Sequence, residues 1–111
     1  MNLDPGHAAA LHMLGMMYDG LPWIMGGDSQ RALDYLRLAV AADRNYSHAR
    51  LNLAKQYLKR KDYNSARHEL EAVLATQFPR DNYAWARYHV PEAQKLLKEL
   101  PQNEMSVGAR F

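Results

Sequence analysis

Two stretches of this chain repeat one another in register, and that repeat limits the fold more than any other feature. Leu14-Gly15-x-x-Tyr18 recurs as Leu53-Ala54-x-x-Tyr57. Downstream of the first lie Ala32, Leu36 and Ala39, and downstream of the second lie Ala66, Leu70 and Val73, with the same internal spacings of four and three residues. Spacings of three and four place residues on one face of an α-helix. Small residues alternating with large apolar ones mark places where two helices cross closely. Each unit therefore reads as a pair of helices, and self-similarity of this kind points to stacked helical pairs.

The punctuation of the chain divides it accordingly. A first helix is expected from about Pro5 to Asp19, followed by a loop from Gly20 to Gly27. Asp28 then caps a second helix reaching about Ala42. Arg44-Asn45 turns into a third helix over about Tyr46 to Arg60, and Lys61-Asp62 turns into a fourth that runs to about Thr76. Phe78-Pro79-Arg80-Asp81 breaks the pattern, and the aromatic-rich stretch Asn82 to Val90 reads as a loop with at most a helical turn. Pro91 opens a fifth helix ending near Leu100, with Ala93, Leu96, Leu97 and Leu100 on one face. This helix suits the bare side of the last pair, while Glu92, Lys95, Lys98 and Glu99 are expected to face water. Residues 1–100 are thus expected to form one helical domain, and 101–111, without periodicity, a mobile tail.

The residues of the two units resemble the tetratricopeptide repeat. Its pattern asks for a bulky residue, Leu-Gly, Tyr, Ala, a bulky residue, Ala and Pro. Leu11, Leu14, Gly15, Tyr18, Ala32, Leu36 and Ala39 match in the first unit, and Leu53, Ala54, Tyr57, Ala66, Leu70 and Val73 in the second. The departures are Arg44 at the usual terminal Pro, Arg50 at the first bulky position, and five extra residues between Tyr18 and Ala32. The resemblance implies an all-α fold, a fragment of a right-handed α-solenoid of about two antiparallel helix pairs plus a C-terminal capping helix. It also sets Pro5 at the end of a preceding unit; the other account is that Asp4 caps the first helix and Pro5 occupies its first turn. The first helix carries Leu11, Met13, Leu14, Met16, Met17 and Tyr18, apolar around much of its circumference. A helix apolar nearly all round is buried on more than one side. Its second side is expected to meet a further repeat or another copy of the chain, giving a homodimer.

The stretch GLPWIMGGDSQRAL is more than a helix-to-helix turn needs. Gly26 and Gly27 permit backbone angles other residues avoid. Leu21, Trp23 and Ile24 are too apolar for a free loop, so they are expected to fold back onto the helix pair, with Trp23 also a loop candidate for partner contact. No Gly-x-x-x-x-Gly-Lys-Ser/Thr follows a strand here, and Asp28 would oppose a phosphate. Tyr18-Asp19-Gly20 with Asp28-Ser29-Gln30-Arg31-Ala32 is similar to the Sel1-like repeat. The run Gly20-Leu21-Pro22-Trp23 to Gly26-Gly27-Asp28 looks like the TatT-type helical proteins associated with bacterial TRAP transporters. That likeness implies a periplasmic or lipid-anchored parent, oligomerisation and help in delivering a small organic solute, held in an apolar pocket under Trp23.

Other function classes find little support. A net charge of +2 is too mild to imply nucleic acid, and the run Lys55 to Lys61 reads as a solvated helix end followed by Asp62. No apolar stretch is long enough to span a bilayer, so no membrane insertion is expected. The chain as given shows no signal peptide, which fits the cytoplasm, or the periplasm for a piece of a longer parent. With no cysteine there is no thiolate site. None of His7, His12, His48, His68 and His89 stands at i,i+4 from another, so no metal or cofactor is expected. Ser29, Ser47, Ser65 and Ser106 lack a nucleophile elbow, and Glu69 and Glu71 diverge on a helix face that should be solvated. The chain is expected not to be an enzyme.

What remains is binding of a protein or peptide. By repeat phase the concave face offers His12, Met13 and Met16 from the first unit and His48, Asn52, Lys55 and Lys59 from the second. Chaperone-binding tetratricopeptide domains hold a peptide's terminal carboxylate with Lys and Asn at such positions. Asn52 matches, but His12 and Met16 replace the Lys and Asn expected in the first unit. A methionine strip beside Lys55 and Lys59 suits an adaptable apolar partner with acidic flanks; the other reading makes the methionines core or self-association surface.

Overall fold

The computed structural model describes residues 5–101. Asp4, a candidate cap, and the tail beyond Pro101 lie outside them. The described residues form helices joined by turns and loops, without a strand: α1 (Pro5–Gly20), α2 (Ser29–Ala42), α3 (Ser47–Lys59), α4 (Tyr63–Ala75), a single turn α5 (Asn82–Ala84) and α6 (Val90–Glu99). Helix α1 packs on α2 and α3 on α4, α2 joins the two hairpins through α3, and α6 lies against α4. The fold is all-α, with two helical hairpins of solenoid type closed by a C-terminal helix.

Helix starts follow local chemistry. Asp28 accepts from the amides of Gln30 and Arg31 at 2.9 and 3.1 Å, and Asp62 caps α4 through Ser65 at 3.2 Å. Each side chain satisfies amides that the first turn leaves free. Tyr46 precedes α3 without capping it.

The repeat positions form the core. Ala32, Leu36, Ala39, Ala54, Ala66, Leu70 and Val73 have no exposed surface, and Leu11, Leu53 and Tyr57 are buried with them. A Cβ at Gly15 would stand 2.9 Å from Leu36 Cγ and 3.2 Å from the Ala32 carbonyl oxygen. Two helices meet there at backbone distance, which is why the position takes glycine.

Two of the three departures from the repeat pattern, Arg44 and Arg50, meet in the structure. Arg50 is buried where a bulky apolar residue was expected, and its Nε donates to the Arg44 carbonyl at 2.9 Å. Its Nη1 donates to Glu69 Oε1 at 2.8 Å. Glu69 is therefore buried, not on a solvated face; the guanidinium across the α3–α4 hairpin draws it inward.

The C-terminal part departs most from the expected map. Residues 82–90 are not a loop. Asp81 caps α5 by accepting from Ala84 N at 3.0 Å, and the chain runs on through a π-helical stretch, Trp85–His89, into α6. The amide of Val90 reaches back to the Trp85 carbonyl, five residues away. Widening the helix just before Pro91 accommodates a residue that has no N–H and crowds the preceding turn. The Trp85 indole donates to the Val73 carbonyl at 2.8 Å and ties the stretch to the end of α4. Ala93 and Leu100 are buried, and Leu96 and Leu97 pack against the core.

Two stability outcomes follow. Gly15→Leu overpacks the α1–α2 crossing and should cost about 1–3 kcal/mol in denaturant unfolding; an unchanged midpoint would contradict the register. Glu69→Ala strands the buried Arg50 charge and should cost about 3–5 kcal/mol, whereas the double change Arg50→Met/Glu69→Leu should recover most of that loss.

Candidate functional site

The long loop is held by its own backbone. The amides of Met25 and Gly27 both donate to the Pro22 carbonyl at 2.9 Å, and Asp28 N returns to the Tyr18 carbonyl at 3.2 Å. Gly26 takes a left-handed φ of 99°, and a Cβ at Gly27 would overlap the Leu21 carbonyl oxygen. The apolar residues do not fold back onto the helices. Trp23 is 83% exposed, Ile24 75% and Met25 68%, because the turn (Trp23–Met25) that its hydrogen bonds close points them outward. The hollow under Trp23 is lined by Tyr18, Asp19, Leu21, Asp28 and Ser29, a mixed surface in place of the expected apolar pocket.

Three of the candidate residues meet in one polar layer. His12 is buried between α1 and α3, with Nδ1 2.9 Å from the Tyr46 hydroxyl and Nε2 2.8 Å from Asn52 Nδ2. An amide nitrogen only donates, so Nε2 accepts and the proton sits on Nδ1, facing Tyr46. Asn52 is buried too, its amide turned to His12. His48 lies edge-on to His12 at 4.7 Å, and His89 stacks on His48 at 5.5 Å. Burial lowers the His12 pKa to about 4, helped by His48 and Arg80. Burial likewise lowers those of His48, with Lys55 adding to it, and His89, with His48 adding to it. Tyr46 and His89 were not singled out in the sequence; nothing local joins a turn residue to a residue of the π-helical stretch.

The remaining candidates lie elsewhere. Lys55 pairs with Glu92 of α6 at 2.9 Å and Lys59 with Asp19 of α1 at 2.7 Å. Arg60 donates to the Ser29 carbonyl at 3.1 Å. The basic run is thus more than a solvated helix end: it ties α3 to three other parts of the chain. Met13 is 70% exposed on α1, and Met16 is exposed beside it. Ala10, Met13, Leu14 and Met17 form an apolar groove of about 530 Å³.

Equivalent repeat positions are covered unequally. Leu53 and Tyr57 of α3 are buried, with Arg37 of α2 donating to the Tyr57 hydroxyl at 3.1 Å. Their counterparts on α1, Leu14 and Tyr18, are only half-buried. Tyr18 stacks on Tyr35 at 5.6 Å and receives Arg31 at 3.3 Å. The face that α2 covers on the second hairpin is open on the first.

Paired helices stacked in register, with one helix face open at the end of the stack, define a helical-hairpin repeat protein. A family model described as tetratricopeptide repeat matches residues 24–88, more than half of the chain. The chain belongs to the tetratricopeptide repeat family, whose repeats generally mediate protein–protein interactions. No curated protein and no solved structure matches it. No described helix is long and apolar enough to cross a membrane, and no group of three metal-ligating side chains occurs among the described residues.

The histidine layer sets a pH dependence. Folding lowers the His12 pKa from 6.5 to about 4, so between those values the unfolded chain binds more protons than the folded one. Stability from this residue is complete above pH 6.5 and is lost as pH falls towards 4, by at most about 3 kcal/mol. His48 and His89 act in the same direction. Unfolding midpoints should fall across that window and fall less steeply in His12→Gln; parallel profiles would remove His12 as the cause.

Proposed function

We propose that this chain is a protein-interaction module whose contact face is the exposed apolar side of α1. The observation that carries the reading is the unequal covering of Leu14 and Leu53. Where α2 covers the second hairpin, the first presents Ala10, Met13, Leu14 and Met17 to solvent. The partner surface that fits is an apolar helix like α2, and a second copy of this chain is the first candidate. Between Pro5 and Tyr18 the helix carries no Asp, Glu, Lys or Arg, so docking there strands no charge. Methionines adapt to partners of varied shape.

His12, His48 and Asn52 serve in this reading mainly as the polar layer that fixes α1 on α3. Lys55 and Lys59 hold exposed ion pairs, which are weak enough to be exchanged for an acidic partner. Trp23 is a second contact point. A large aromatic held outward on a closed turn loses little freedom on binding and suits a hot spot. The narrower reading as an oligomeric accessory of a bacterial transporter rests on the loop's Leu-Pro-Trp and Gly-Gly-Asp alone, since the hollow under Trp23 is not the apolar pocket that reading calls for.

Light scattering over a concentration series tests the α1 face. Wild type should gain mass with concentration, and Met13→Lys/Met16→Lys should stay monomeric with unchanged helical circular dichroism. A wild-type chain that remains monomeric throughout would remove the second copy as partner. Equal self-association by the double variant would move the interface off α1.

A further inference from the structure

We infer that the cavity at the start of α3 is a binding site for a small oxyanion, a carboxylate or phosphate group, held by the α3 N-terminus, Ser47, His89 and Arg80. The site is separate from the α1 groove and does not depend on the proposed partner surface.

The cavity measures about 320 Å³ and is lined by Tyr46, Ser47, His48, Arg80, Asp81 and His89. Ser47 is only 4% exposed, yet its Oγ has no hydrogen-bond partner among the described residues. His89, a half-buried residue that lines the same cavity, likewise keeps a buried Nδ1 without a partner among the described residues. A buried polar atom left without a partner carries its full desolvation cost, so two of them lining one cavity mark a place built for an external polar group.

The helix beneath points to a negative one. No side chain caps α3; Tyr46 holds the cap position without bonding to the first turn. Ser47 N is taken by the Asn45 carbonyl at 3.0 Å and Arg50 N by the Tyr46 carbonyl at 3.1 Å. The amides of His48 and Ala49, between them, have no acceptor among the described residues. Uncapped amides at the positive end of a helix dipole favour an anion.

Arg80 supplies the cation. Its guanidinium stacks over the Tyr46 ring at 4.3 Å and donates to Asp43 at 3.2 Å. Its backbone amide donates to the Asn45 carbonyl at 3.2 Å. Beyond this ion pair with Asp43, most of its five N–H donors have no partner among the described residues, on a group already fixed in place. Asp81 is the one carboxylate in the lining among the described residues, and its Oδ1 is committed to the amide of Ala84. Its charge, in the same lining, opposes an anion and disfavours a polyanion most.

The experiment is a titration of the isotopically labelled full chain, followed by amide and histidine chemical shifts. Sodium acetate and sodium phosphate are the two probes, with ionic strength held constant by sodium chloride. Saturable shifts at His48, Ala49 and the His89 ring are expected with at least one probe. Acetate alone would identify a carboxylate site, and phosphate alone a phosphate site. Arg80→Gln should weaken binding by about tenfold, as loss of a charge-assisted hydrogen bond does. Ser47→Ala, a smaller change that keeps the helix intact, should weaken it severalfold and decides the matter if Arg80→Gln does not fold. Met13→Lys/Met16→Lys should bind as wild type, which separates this site from the α1 face. Shifts that never saturate, that spread over all surface amides, or that persist unchanged in Ser47→Ala would overturn the assignment.

Discussion

The closeness of α1 and α2 at Gly15 governs the rest of the molecule. No side chain fits between Gly15 and Leu36, so the two helices meet with Leu36 sealed beneath them. That contact fixes how α2 presents Arg37 and Val40 to α3, where Arg37 donates to the Tyr57 hydroxyl. The second hairpin repeats the device with Ala54 and Ala66, both without exposed surface. Close crossings of this kind make each hairpin a rigid plate, and two such plates stack only in one register. The cap then follows, because stacking leaves one bare side on α4 and α6 supplies Ala93 and Leu100 to it.

A stack of plates has two ends, and here they differ. At one end α6 closes the core. At the other, α1 keeps Met13 and Met17 outside while its opposite face is locked to α2. The same repeat position therefore has two environments, buried at Leu53 and half-open at Leu14. Solenoids are stabilised largely by neighbour contacts, so an uncovered plate is the natural point of attachment for another helix pair.

The repeat was legible because its signal is local: four- and three-residue spacings, small residues at crossings, and Asp28 and Asp62 before helices. What was not legible depended on distant partners. Arg50 broke the apolar pattern, and Glu69, nineteen residues on, looked solvated; only the hairpin brings them to 2.8 Å. The loop misled in the other direction. Hydrophobicity suggested that Trp23 and Ile24 would be buried, but the backbone bonds around Pro22 and Gly26 close the turn without them. Pro91 reads as a helix start, yet the helical chain already runs into it, because the π-helical stretch opens the bonding pattern just where proline has no N–H. The polar layer of His12, Asn52 and Tyr46 was half visible: the repeat phase placed His12 and Asn52 on one face, but not the bond between them.

That bond changes what the concave side can offer. A peptide clamp of the kind suggested by Asn52 needs an amide free to meet a ligand, yet this one donates to His12 Nε2 at 2.8 Å. Freeing it would cost a buried hydrogen bond and leave a buried imidazole nitrogen unmatched. The acceptor-seeking groups lie one step further along, at the start of α3, where His48 and Ala49 carry uncapped amides and Ser47 Oγ is unpartnered. His12 supports Tyr46 from below through its Nδ1, and Tyr46 in turn carries the Arg80 guanidinium on its ring. The histidine layer thus has a use beyond holding α1 to α3. It positions the aromatic platform on which Arg80, at that cavity, rests.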